Sequence, residues 1–147
     1  MGALSEALQD PTKRRAIVDD GVQVIEAEVA SKRGLTGAAV KTAFKAVKRL
    51  KPGFINMALN HLMDDFAVQL DPFHEQWKAS GSGTLEQHFR SNANSIANAL
   101  LSVTDARAQN ADNRVVKKSY NTLRPQAVNH LTEAMPRLAG MVSRHVS

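Results

Sequence analysis

The chain has 147 residues, no cysteine, and 19 basic against 14 acidic side chains, for a formal charge of +5. That length suits one domain burying about 68–70% of its unfolded surface. The missing cysteines exclude disulfides, thiolate nucleophiles and Cys-ligated zinc, which leaves the cytoplasm as the expected compartment. Scarce aromatics, one Trp, one Tyr and five Phe, together with abundant Ala, favour close-packed helices over strands. The longest strictly apolar runs are triplets such as Ala99-Leu100-Leu101. A membrane span needs ~20 such residues, so a soluble protein is expected. Met1 to Leu8 has neither a basic n-region nor a long apolar h-region and does not read as a signal peptide.

After a short amino-terminal turn, Asp10-Pro11 supplies an N-cap followed by proline at the first helical position. The helix carries Ile17, Val18, Val22, Ile25 and Val29 on one side. It ends at Lys32-Arg33-Gly34, with cations on the negative end of the dipole and a glycine beyond. Thr36 caps the next helix, which runs to Lys51 and stops at Pro52-Gly53. A third helix places Ile55, Leu59, Leu62, Met63, Phe66 and Leu70 at three- and four-residue steps. Asp71-Pro72 repeats the cap-then-proline signal and predicts a new short helix bearing Phe73 and Trp77.

Ser80-Gly-Ser-Gly83 has linker composition and predicts a flexible turn between halves. Thr84 with Gln87 makes a capping box, and helical spacing resumes through Leu85 and Phe89. A break near Ser91-Asn92 precedes a helix presenting Ala93, Ile96, Ala97, Leu100 and Thr104. Asn110-Ala-Asp-Asn113 is a turn cluster. The last third carries Val116, Tyr120 and Leu123, then Leu131, Met135, Leu138 and Val142, with Pro125 and Pro136 each starting or kinking a helix. The expectation is an all-α fold: a single domain over residues 1–147, a compact bundle of seven or eight mostly short helices.

The charge is concentrated. Between Glu28 and Asp64 there is no acid, yet there are seven cations: Lys32, Arg33, Lys41, Lys45, Lys48, Arg49 and Lys51. On a wheel at ~100° per residue, Lys41, Lys45, Lys48 and Arg49 share one arc, while Ala39, Val40, Ala43, Phe44, Ala46, Val47 and Leu50 fill the other. Such a helix docks on a core and turns its cations outward. Those cations either only solvate the surface or bind an anionic partner: nucleic acid, an acidic protein or lipid headgroups. Lys41, Lys45, Lys48, Arg49 and Lys51 are the candidate anion-binding residues. Against nucleic acid, the helix lacks interleaved aromatics and side chains placed to read base edges.

Other candidates are thinner. His61 and Asp65 lie four apart on one helix with Asp64 beside them, and His130 and Glu133 lie three apart on another. Either pair could give two metal ligands, but the Glu-x-x-His pattern of di-iron bundles and His-Glu-x-x-His are both absent. Gly-x-Ser-x-Gly, phosphate-loop and dinucleotide fingerprints are absent too, so no cofactor and no enzymatic activity are expected. Arg107 falls in the middle of the arc holding Ile96, Leu100 and Thr104, where it must reach a carbonyl, a carboxylate or an anion. Phe73 and Trp77 read as core anchors, or as an aromatic contact for a second subunit.

Gly34-Leu-Thr-Gly-Ala-Ala-Val-Lys41, continuing to Val47-Lys-Arg-Leu-Lys-Pro-Gly53, resembles a family of small uncharacterised bacterial proteins, chiefly actinobacterial. Val103-Thr-Asp-Ala-Arg107, Tyr120-Asn-Thr-Leu-Arg124 and Ala134-Met-Pro-Arg-Leu138 are similar to its later segments, so the likeness spans nearly the whole chain. The resemblance implies an all-helical cytoplasmic protein with no established activity and supplies no catalytic or binding residue. The expected function is a non-enzymatic module contacting an anionic partner through the basic helix. A self-associating homo-oligomer using Phe73 and Trp77, and an enzyme or metal site around His61, Asp64 and Asp65 or Arg107, are the alternatives.

Overall fold

The computed structural model describes residues 1–146. In chain order the helices are α1 (Ala3–Ala7), α2 (Pro11–Ser31), α3 (Gly34–Lys48), α4 (Phe54–Ser80), α5 (Leu85–Ser91), α6 (Ala93–Gln109), α7 (Arg114–Leu123), α8 (Ala127–Glu133) and α9 (Met135–His145), with a 3-10 turn at Arg124–Gln126 before α8. The fold is an all-α compact bundle, and none of the described residues is in a strand. No helix of the described residues is long and apolar enough to cross a membrane.

Local signals set most of the boundaries. The Asp10 carboxylate accepts from the Thr12 and Lys13 amides and starts α2, with Pro11 in its first turn. Thr84 and Gln87 form both bonds of the capping box that opens α5. Asn113 accepts from Val115 and Val116 to start α7. Pro125 sits in the 3-10 turn and Pro136 in the first turn of α9, where a missing N–H costs nothing. The Ser80–Gly83 turn holds Gly81 and Gly83 at positive φ and accepts a hydrogen bond from the Trp77 indole at the Gly83 carbonyl, 3.1 Å away.

Three boundaries differ from the sequence reading. α3 begins at Gly34, with Arg33 at its N-cap and no side-chain cap, so Thr36 does not start it; it ends at Lys48 rather than Lys51. Asp71-Pro72 starts no new helix. α4 runs unbroken from Phe54 to Ser80 through Pro72. Pro72 lies on its exposed side, one turn after the exposed Val68, so the carbonyl that proline leaves unpaired faces water. The Asp71 carboxylate is buried and caps a different helix: its Oδ1 accepts from the Leu4 amide at 3.0 Å, and its Oδ2 from the Ser5 amide and hydroxyl. It satisfies the amino end of α1 from 67 residues away. Gly2 must be glycine there, because a methyl group would overlap that carboxyl.

The core collects Leu4 and Leu8 of α1, Ile17 and Val18 of α2, Met63, Ala67 and Leu70 of α4, Phe89 of α5, Ile96 of α6, and Met135 and Val142 of α9. α3 packs chiefly on α7, and this pair forms one side of the bundle. That side is thinly buried: α3 buries Gly37, Val40 and Ala43, and α7 only Ser119.

Candidate functional site

Behind the α3–α7 side, the helices do not close on one another. A half-open cavity of about 390 Å³ lies between α2, α4, α6, α7, α8 and α9. Its wall is almost wholly carbon, from residues such as Val24 and Ile25 of α2, Leu100 of α6, Leu123 of α7, Leu131 of α8 and Leu138 of α9. Several of these face the middle of the bundle yet remain only half-buried, because the space beside them is empty. Gly21 and Ala127 also line it; a Cβ at Gly21 would come within 2.7 Å of the Leu59 side chain, so glycine there lets α2 pack close to α4. Val40 is the contribution of α3.

Polar residues enter the wall at two places, and their polar atoms are turned toward one another. At one, Lys32 is 7% exposed; its Nζ lies 2.8 Å from Glu133 Oε2 and 3.4 Å from both Glu28 Oε1 and the His130 carbonyl. Glu28, its side chain 12% exposed, also receives Arg137 of α9. Lys32 therefore does not simply decorate the end of α2: it ties α2 to α8, a cation withdrawn from the basic stretch. The Lys32 bond holds the Glu133 carboxyl below the usual range. Burial, then Lys32, pushes the His130 ring below the usual histidine range, and His130 Nδ1 is enclosed without a hydrogen-bond partner.

At the other place, the Thr104 and Tyr120 hydroxyls are 2.7 Å apart, and Tyr120 also donates to Asp105. Arg124 Nε donates to Asp105 at 2.9 Å. That arginine, then Tyr120, lowers the Asp105 carboxyl, while burial and then Asp105 raise the Tyr120 phenol. Because these polar groups, His130 Nδ1 apart, pair with one another, an occupant of the cavity meets mainly hydrocarbon and is selected by size and shape.

The sequence-predicted basic residues are brought together on α3 and the turn after it, but not all are equivalent. Lys41, Lys45, Arg49 and Lys51 are exposed, and no ion pair forms on them among the described residues. Lys48 instead reaches Glu26 of α2 at 3.3 Å and lies 5.2 Å over the Phe44 ring. An acid from the neighbouring helix thus answers one cation of a segment that has no acid of its own.

Around His61, which is exposed, the carboxylates have other partners. Asp64 pairs with Arg14 at 2.8 Å and Asp65 with Arg107 at 3.4 Å. Arg107 also donates to the His61 carbonyl at 3.5 Å, so its partner is a carboxylate plus a carbonyl on α4. It is not buried, being 57% exposed. Among the described residues, no three His, Asp or Glu side chains gather as a metal site would need. Phe73 and Trp77 are half-buried and pack against the core.

Sequence reasoning missed the cavity. Its lining residues lie at ordinary core spacing, and nothing in that spacing tells whether the facing side chains meet.

A helical bundle folded around an apolar hollow is the class of protein that these features define. The chain belongs to DUF6918, a family of unknown function, whose pattern it matches over residues 4–146. No curated protein and no solved structure matches the chain.

Proposed function

We propose that the protein binds an apolar small molecule in the central cavity and does so without catalysing a reaction. The observation that carries this reading is the 390 Å³ of hydrocarbon-walled space. An apolar occupant that covers this wall is held by the hydrophobic effect, at about 25 cal/mol per Å² of apolar surface removed from water. The volume falls within the roughly 300–1,000 Å³ of small-molecule sites. At the ~30 Å³ that a water-sized group takes up in a liquid, it suits roughly a dozen heavy atoms. Titration with the uncharged fluorophore 1-aminonaphthalene, which is small enough for this volume, tests it: saturable uptake of one dye per chain is expected, and absence of uptake would contradict the reading.

A second reading, contact with an anionic partner through α3, is supported by the exposed Lys41, Lys45, Arg49 and Lys51. Its mark is salt-sensitive binding that is lost when Lys41 and Lys45 become Glu.

A further inference from the structure

The cavity and the cations belong to the same side of the molecule. α3 carries Lys41, Lys45 and Lys48, and α7, packed on it, carries Arg114, Lys117 and Lys118; neither helix contains an acid. Both also wall the cavity, α3 with Val40 and α7 with Tyr120 and Leu123. Each exposes an apolar side chain in its first turn beside an arginine: Leu35, 93% exposed, two residues after Arg33, and Val115 next to Arg114. A lipid interface takes up exposed apolar side chains such as Leu35 while its anionic headgroups hold the cations around them.

The pair is lightly held. It buries few residues, and glycines at positive φ, Gly34 at the start of α3 and Gly53 in the turn after it, stand in open space. Val40 and Ala43 seat α3 on the body, and the polar ties are Lys48 to Glu26, the Tyr120 hydroxyl to Thr104 and Asp105, and Arg124 to Asp105.

We infer that α3 and α7 form a basic lid that docks on an anionic lipid surface and admits one acyl chain to the cavity. The docking half stands on the charge and the exposed Leu35. The acyl-chain half rests on the ligand reading above.

Co-sedimentation with phosphatidylcholine vesicles, with and without phosphatidylglycerol, tests the inference, run beside uptake of 1-aminonaphthalene in buffer. The protein should sediment with the phosphatidylglycerol vesicles and ignore phosphatidylcholine alone. Changing Lys41, Lys45, Lys117 and Lys118 to Glu should weaken vesicle binding more than about tenfold and leave dye uptake in buffer unchanged. Leu35→Asp should weaken vesicle binding by several-fold. Equal binding of both vesicle types, an unaffected quadruple variant, or binding of duplex DNA without binding of vesicles would overturn the docking surface. Dye uptake without vesicle binding would sink this inference alone. Vesicle binding without dye uptake would sink the ligand reading and the acyl-chain half.

Discussion

Val24→Phe should stabilise the protein, the reverse of what the same change does in a filled core. Val24 lies on α2 and lines the cavity. The substitution adds about four carbon groups, each contributing ~0.8 kcal/mol when buried, or about 3 kcal/mol if the ring is fully accommodated. Adjustment of neighbours costs about 1–3 kcal/mol when a core is already full, and less here because the ring enters vacant space. A net gain of about 1–2 kcal/mol follows, equivalent to an increase in Tm of about 3–6 °C for a chain of this size. Urea denaturation measures the gain directly, and titration with 1-aminonaphthalene should show uptake falling in parallel. Destabilisation by 1–3 kcal/mol with dye uptake unchanged would refute the reasoning, because it would mean that the side chains around Val24 are already in contact.

Three further outcomes are expected. Asp71→Ala should cost about 1–2 kcal/mol and speed amide exchange at Leu4 and Ser5, whose amides it caps; unchanged exchange would remove it as the anchor of α1. Glu28→Gln should cost about 1–3 kcal/mol, because Lys32, 7% exposed, keeps only Glu133 as a carboxylate partner, while Arg137, 46% exposed, turns to water. Glu133→Gln, at a side chain 65% exposed, should cost less than about 1 kcal/mol; equal costs in urea denaturation would contradict the network. The pH dependence follows from two histidines. Burial, then Lys78, lowers the His74 ring, and burial, then Lys32, lowers His130. Both therefore take up protons more readily unfolded than folded, so their contribution is complete above the unfolded value near ~6.5 and is lost as pH falls from there through the folded values. The carboxyls of Asp20, Asp105 and Glu133, lowered by Arg144, Arg124 and Lys32 respectively, contribute above the unfolded carboxylate range near ~4 and lose that contribution at lower pH still. The urea midpoint should decline between about pH 6.5 and 5, with a shallower decline in His74→Phe; a flat midpoint there would contradict the assignment.

The features that were legible in the sequence are those decided within a few residues. Asp10 and Thr84 cap the helix that follows each of them, because cap and amides are neighbours in the chain. Asp71 carries the same signal and misleads, since its carboxylate serves α1 instead of its own helix. Lys32 reads as a cation at the end of a helix, yet it is buried through Glu133, 101 residues on. The lysine face of α3 was visible as a face, but Glu26 of α2 was not visible as the partner of Lys48. The cavity is the extreme case. Val24, Leu100 and Leu131 are spaced like any core residues, and only the placing of three helices around them shows that their side chains stop short of one another.

Calorimetric titration with a series of straight-chain alcohols measures the hollow most directly. Each added methylene buried against hydrocarbon should strengthen binding about fourfold, the equivalent of ~0.8 kcal/mol. The gain should level off near a dozen carbons, where roughly 390 Å³ is filled. An affinity that does not change with chain length, or no binding at any length, would contradict a ligand-sized cavity in this bundle.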